Sequence, residues 1–428
     1  MTRLMTSAAA LAVAAGAAQA GGIERMGNNY GLLFESGNKV QLSFSAVSPS
    51  LSGEYNSQLT AAGGGEDDTG NMSNDYTTLG FAYKNDVNEK LAFGIFVNTP
   101  YGADAEYSKG VYTGLTAEWD SQQVAAIARY RLTDRVSVFG GARYVRSKAE
   151  ITIPDLLTRT AVGRNAQALG AEAQALGAQA QAAGAAGDLA AAQALGAQAQ
   201  ALGARAQTLG AAAQDFGTSM EFNASADYEG DWGGVLGVAY EIPDIALRVA
   251  LTWESEITHS FEASETIPGL GIDADGGDND VTMPQSVALD FQSGVAPGTL
   301  VFGQIKWTEW SEWEVATPQY EDVTGGPITG FPSDIWTYKL GVGRQFTDKA
   351  SGFAQITYEP DLDDIQSRLS PRDGVVSLGL GGQYTFDNNM TLRGGVEYAW
   401  VGDAEDASGT KFEGNDAFGV GVSLTVGF

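Results

Sequence analysis

Phe418-Gly-Val-Gly-Val-Ser-Leu-Thr-Val-Gly-Phe428 closes the sequence on a strict alternation. Phe418, Val420, Val422, Leu424, Val426 and Phe428 are large and apolar, whereas Gly419, Gly421, Ser423, Thr425 and Gly427 are small or polar. Side chains of a β-strand point to opposite faces with a period of two, so this segment is a strand with one apolar face. A tilted strand crosses a bilayer in about 9–11 residues, and this one is long enough. A soluble sandwich buries such a face as well, so the alternation by itself leaves both readings open.

The opposite end of the chain separates them. Arg3, an apolar run from Ala8 to Ala18 and the small-residue ending Ala18-Gln19-Ala20 have the layout of an export leader, predicted at 1–20. A strand that ends an exported chain on an aromatic residue resembles the assembly signal of outer-membrane proteins. Upstream segments repeat the pattern: Leu392, Val396, Tyr398 and Trp400 share a face, as do Val376, Leu378, Leu380, Tyr384 and Phe386, and Leu91, Phe93, Ile95 and Val97.

Counting such segments predicts an all-β fold, an antiparallel transmembrane β-barrel of about 14 strands over 38–428. The strands fall near 38–48, 73–86, 89–99, 118–132, 134–152, 220–241, 245–261, 281–293, 299–314, 334–347, 350–359, 374–387, 389–401 and 411–428. Short connections rich in Asp, Asn, Gly and Pro alternate with long polar ones. Asn85 to Asn88, Thr133-Asp134, Pro243-Asp244, Ala296-Pro297-Gly298, Thr347-Asp348 and Asp387-Asn388 are the short set, assigned to the periplasm. Gly63 to Asn74, Asp273 to Asp280 and Pro318 to Ser333 are assigned to the long outer set.

One connection, 161–217, differs. From Asn165 to Gly217 it is nearly all Ala, Gln, Gly and Leu, with Leu169 and Leu176, then Leu195, Leu202 and Leu209, seven residues apart. Ala-rich composition with a seven-residue Leu spacing favours helix, and the break at Gly184 to Asp188 predicts two antiparallel helices in an extracellular loop. Each Gly costs about 1 kcal/mol relative to Ala within a helix, so the pair needs close Gly and Ala contact to hold it.

Composition excludes several chemistries. With 53 Asp and Glu against 24 Lys and Arg, the net charge of −29 excludes nucleic acid as a partner. No Cys and a single His, His259, exclude thiol catalysis and multi-His or Cys metal sites, so no cofactor or metal is expected and no enzyme. Asp273 to Asp280 resembles a calcium loop only superficially, because the late bidentate Glu is missing.

Several stretches carry a resemblance. Trp232-Gly-Gly-Val-Leu-Gly-Val-Ala-Tyr-Glu with Leu247-Arg-Val-Ala-Leu-Thr-Trp253 is one; Met283-Pro284-Gln-Ser-Val287 leading to Trp307-Thr-Glu-Trp310 is another. With Leu378-Gly-Leu-Gly-Gly-Gln-Tyr-Thr-Phe386, their order and spacing are similar to the long-chain fatty acid transporter (FadL-like) family of the Gram-negative outer membrane. The resemblance implies fourteen strands, passive uptake of hydrophobic small molecules such as long-chain fatty acids or hydrocarbons, and a lateral opening in the barrel wall. It also places the helical insert where the family builds an outer landing groove, giving Leu169, Leu176, Leu195 and Leu202 a ligand-collecting role. The plainer reading has these leucines gluing the helices together. The family's N-terminal hatch is shortened here to a plug-like 21–37, where Asn28-Asn29-Tyr30-Gly31 stands in place of its Asn-Pro-Ala motif.

Fatty acid uptake needs an apolar cavity and a few polar groups for the carboxylate. Strand parity puts Arg129, Arg131, Arg143, Arg248, Lys306, Lys339 and Arg393 on the lumen side, facing Glu254, Glu256, Asp290, Glu359 and Glu397. These cations are the carboxylate candidates, set against a lumen ion-pair network that only balances charge. Trp307, Trp310 and Trp313 belong either to an outer aromatic girdle or to a ligand-access groove. The expected partners are the hydrophobic ligand, outer-membrane lipid and lipopolysaccharide, around a monomer. A general diffusion porin and an adhesive barrel displaying the insert are the alternatives. Gly80, Gly94 and Gly140 are candidate kink positions for the lateral opening.

Overall fold

The computed structural model describes residues 22–428, so the leader expected at 1–20 lies outside the described residues. Seventeen strand segments make one sheet, and because three strands are interrupted they form fourteen staves. These are β1 (Lys39–Ser50), β2 (Tyr76–Asp86), β3 (Leu91–Asn98, resuming at Gly102–Glu106), β4 (Thr116–Arg131) and β5 (Val136–Ile153). Next come β6 (Phe222–Ile242), β7 (Leu247–Glu254, resuming at Ile257–Ile267), β8 (Ile272–Met283, resuming at Ser286–Ala296) and β9 (Thr299–Thr308). The last five are β10 (Ile335–Gln345), β11 (Ala350–Glu359), β12 (Val375–Thr385), β13 (Met390–Val401) and β14 (Asp416–Gly427). Every pairing between successive staves is antiparallel, and β1 closes on β14 from Lys39↔Gly427 to Ser50↔Asp416. Closure pairs the edges that an open sheet would leave bare in hydrocarbon, where an unmet N–H or C=O costs several kcal/mol.

Alternation does the rest. Leu79, Leu236, Leu340, Leu380 and Val422 point outward and are exposed, forming an apolar band. Trp232, Trp336, Tyr338, Tyr358, Tyr398 and Trp400 ring its outer end, with Trp336 stacked on Tyr338 and Tyr338 on Tyr358. Near the short turns, Tyr130, Tyr240, Phe346, Tyr384, Phe386 and Phe428 form a second ring. Two aromatic girdles flanking an apolar band match the layout of a barrel seated in a bilayer.

Beyond the outer girdle β4 to β8 run on, and the polarity of the wall inverts. On β4 the outward positions change from Val124, Ala126 and Ala128 to Glu118, Asp120 and Gln122, while Trp119 points in. On β5 they change to Arg146, Lys148 and Glu150, and Ile151 and Ile153 point in. Lys148 and Glu118 pair across that outer surface at 2.8 Å. Polar outside and apolar inside is the pattern of a wall in water, so these strands rise past the membrane and enclose an apolar chamber.

This extension corrects one sequence expectation. Asp273 to Asp280 is the start of β8, paired with β7 through Asp273↔Thr266 and Asp280↔Ser260, and the turn lies at Pro268–Leu270 instead. Acidic residues suggested a solvated loop, but Asp273 and Asp280 occupy the outer face of a strand standing in water. Glu256 is corrected too: the break between Glu254 and Ile257 shifts parity, and its side chain is exposed. Arg131 sits at the end of β4, also exposed, bonded to the Glu89 carbonyl at 3.3 Å.

Two helices rise from β5, α1 (Asp155–Ala185) and α2 (Leu189–Gln214). At about 1.5 Å per residue the longer one spans about 46 Å. Glycines and alanines let the two approach: Cβ atoms built on Gly170 and Gly203 would lie 3.9 Å from Ala206 and Ala173. At the base, Leu209 is buried and Leu169 packs on the same cluster, while Leu176, Leu195 and Leu202 are half-buried.

Candidate ligand chambers and plug

The N-terminal segment from Gly22 to Asn38 crosses the lumen, and the wall side chains hold it there. Asn28 Nδ2 donates to Glu254 at 2.9 Å and its Oδ1 accepts from Gln123 at 2.5 Å, while Asn29 donates to Gln41 at 2.8 Å. Glu24 pairs with Lys306 at 2.5 Å and Glu35 with Arg393 at 3.4 Å. Lys84 donates to the carbonyls of Glu35 and Gly37, both at 2.8 Å. Tyr30, Leu32 and Leu33 pack against Phe96, Ile127 and Phe139. At the top, Gly22 (φ +56°) lies so close under Trp310 that a Cβ would fall 2.1 Å from the indole.

Beside and beneath this plug lies a cavity of about 270 Å³, lined by Phe34, Arg248, Asp290, Phe291, Phe302 and Lys339 among others. The predicted lumen cations divide here. Arg143 is ion-paired to Glu254 at 2.7 Å and bonded to the Ser255 carbonyl, also at 2.7 Å. Arg129 pairs with Glu241, Arg393 with Glu35 and Lys306 with Glu24. These four are committed to wall and plug. Arg248 and Lys339 form no ion pair with any described residue and line the cavity; Arg248 stacks over Phe34 at 4.8 Å. Among the acids, Asp290 accepts from Gln304, Glu359 from Thr337 and Glu397 from Ser377.

Above the plug is a second cavity, about 80 Å³, with an almost wholly apolar lining that includes Ile23, Trp119, Phe261, Val281, Trp313 and Leu369. Trp119 and Trp313 meet edge to face at 5.9 Å, and Trp310 and Phe331 complete the aromatic cluster. Trp307 alone of the trio lies on the lipid face of β9, opposite Trp336, with Nε1 bonded to Asp334 at 3.0 Å. Trp310 is fully buried inside. The spacing held the clue, because residues three apart cannot share one face of a strand. Trp119, Phe261 and the alanines around them gave no signal in the sequence, since their chamber depends on β4 to β8 continuing beyond the membrane.

A third cavity, about 460 Å³, opens between the base of α1 and the 309–334 loop, lined by Leu157, Ala161, Tyr320, Ile328 and Leu369. It shares Ile328, Thr329 and Leu369 with the aromatic chamber, so the two are contiguous. Leu157 lies on its wall; Leu169, Leu176, Leu195 and Leu202 do not.

The ladder opens between β6 and β7, where pairing stops at Ala226↔Ala263 and resumes at Val235↔Glu254, and again between β2 and β3. Pairing of β2 with β3 ends at Phe81↔Val97, and the next contact is the bridge Ser73↔Ala105. Between them β3 is interrupted at Thr99, Pro100 and Tyr101, and the Pro100 carbonyl accepts from the plug at Arg25 N (2.9 Å). The interruption of β3 therefore falls at a proline, which lacks the N–H a ladder requires, and not at Gly94 or Gly140, while Gly80 borders the gap from β2. His259 is buried, with Ser147 Oγ at 3.3 Å from Nε2, but no described carboxylate meets Nδ1, so a serine–histidine–acid relay has no third member.

The family model described as outer membrane protein transport protein (OMPP1/FadL/TodX) matches residues 2–408. Among solved structures, a Pseudomonas aeruginosa FadL homologue superposes with a TM-score of 0.66 at 13% identity, over 99% of this chain and 98% of that one. The Pseudomonas putida toluene transporter TodX superposes with 0.61 at 15% identity, over 98% of each chain. The Ralstonia pickettii toluene transporter TbuX gives 0.58 at 14%, again over 98% of each. No curated protein sequence matches the chain.

Proposed function

The chain belongs to the outer membrane protein transport family (OMPP1/FadL/TodX), a fourteen-stranded outer-membrane barrel, and we propose that it takes up hydrophobic small molecules such as long-chain fatty acids by diffusion. The observation that carries this is the sequence of linings along the axis. A groove lined by Leu157, Ala161 and Tyr320 as well as by Arg164 and Arg368 meets an aromatic chamber, the chamber rests on a plug, and the cavity below the chamber holds Arg248 and Lys339, which form no ion pair among the described residues. An apolar tail gains about 0.8 kcal/mol per buried CH₂ on leaving water, which favours capture outside without any energy source. Arg248 and Lys339 then supply charge for a carboxylate, and the gap between β2 and β3 offers a sideways exit into the bilayer. The helical insert and the long loops face outward in this arrangement, and the chain acts as a monomer.

Binding of a radiolabelled long-chain fatty acid to the purified, detergent-folded barrel tests the reading, with Arg248→Ala and Lys339→Ala alongside. Saturable binding that weakens in either variant supports it. No binding together with high single-channel conductance would replace it with a general diffusion porin.

A further inference from the structure

We propose that the aromatic chamber above the plug selects apolar molecules that carry an oxygen acceptor, such as an ester or ketone, over bare hydrocarbons. This rests on the uptake reading above and adds a substrate class to it. Three residues that line the chamber bear polar atoms with no hydrogen-bond partner among the described residues. They are Trp119 Nε1, Trp313 Nε1 and Thr317 Oγ1, on side chains at 4%, 5% and 3% exposure. A buried donor without a partner costs free energy, and native structures leave few of them. Three around one small cavity mark a place where a ligand supplies the acceptor.

The local construction explains why these donors stay unspent. Thr317 sits at the N-cap of the short helix α3 (Pro318–Thr324), where a threonine hydroxyl ordinarily accepts from the first-turn amides. Here that task belongs to Glu265, whose carboxylate reaches across from β7 to accept from Gln319 N at 3.3 Å and Tyr320 N at 3.1 Å. Thr317 is thereby released from capping. The two indoles pack edge to face, and neither Nε1 has a hydrogen-bond partner among the described residues.

The test measures binding of a fatty acid methyl ester, the alkane of equal length and the free acid to the full barrel, in the natural sequence and in Trp119→Phe, Trp313→Phe and Thr317→Val. The ester is expected to bind roughly tenfold tighter than the alkane, as one to two added hydrogen bonds provide. Each substitution should shrink that ratio, with the alkane affinity of the same variant as the reference that takes out lost packing; Thr317→Val keeps the shape of its site and serves if the indole variants fold poorly. Equal binding of ester and alkane, or a ratio untouched by all three substitutions, overturns the proposal and leaves the uptake reading standing. If none of the three probes binds, uptake of hydrophobic molecules fails as a reading, and the selectivity falls with it.

Discussion

Asn28, in the segment that crosses the lumen, donates to Glu254 on the opposite wall at 2.9 Å, and the same carboxylate takes Arg143 at 2.7 Å. One side chain therefore anchors the plug and neutralises a buried guanidinium. Removing it strands Arg143, which is 1% exposed. We expect Glu254→Ala to cost about 3–5 kcal/mol, the range for breaking a buried pair from one side. Unfolding measurements give the loss, and planar-bilayer recordings should show raised conductance as the plug loosens. A variant with unchanged stability and conductance would mean the plug is held elsewhere.

Gly80 lies on β2 beside the gap between β2 and β3, where an added side chain would first meet the movable sulfur of Met26 at 3.1 Å. Gly80→Trp should fill the space between the lower cavity and the gap. Uptake into lipid vesicles by the reconstituted barrel is expected to fall, with ligand binding by the aromatic chamber retained. Unimpaired uptake would place the exit along the barrel axis.

At the foot of the helix pair, Asp155 accepts from Arg159 at 2.6 and 2.9 Å and from Met220 N at 2.6 Å. Arg159 in turn reaches the carbonyl of Asp215 at 2.8 Å, past the end of α2. Burial raises the Asp155 pKa, but the Arg159 guanidinium and the Met220 amide outweigh it and hold the carboxyl below its ordinary range. A depressed carboxyl contributes stability that is present above the unfolded value, about 3.9, and is lost as pH falls through the folded one. The helix pair should therefore stay docked at neutral pH and loosen only in stronger acid. A dye on a cysteine introduced at Leu189, in a chain with no other cysteine, reports this as a fall in fluorescence anisotropy. Asp155→Asn should show the lower anisotropy already at pH 7.

The helix glycines make a prediction opposite to intuition. Cβ atoms at Gly170, Gly203 and Gly210 would meet the facing alanines at 3.7–3.9 Å, ordinary contact, and at Gly177 and Gly196 would meet nothing within 4 Å. Ala at these positions should stabilise the pair by up to ~1 kcal/mol each through helix propensity. Slower amide exchange across α1 and α2 is the readout. Faster exchange would mean that backbone approach through the glycines, rather than propensity, governs the pair.

The sequence alone determined the fourteen strands, their outward faces and the helical character of the insert, because each rests on local periodicity. Alternation of period two assigns Phe418 or Leu380 to the lipid whatever surrounds it, and the spacing of Leu195, Leu202 and Leu209 needs only their own helix. Tertiary structure decided everything that depends on which residues meet. Parity placed Arg129, Arg143 and Arg393 in the lumen correctly, but only the closed barrel shows that Glu241, Glu254 and Glu35 occupy them, leaving Arg248 and Lys339. The chamber of Trp119, Phe261 and Trp313 was illegible for the same reason. Its residues come from three distant segments, and the face they share turns from polar to apolar only where the strands leave the membrane, a boundary set by the assembled wall and not by any one strand.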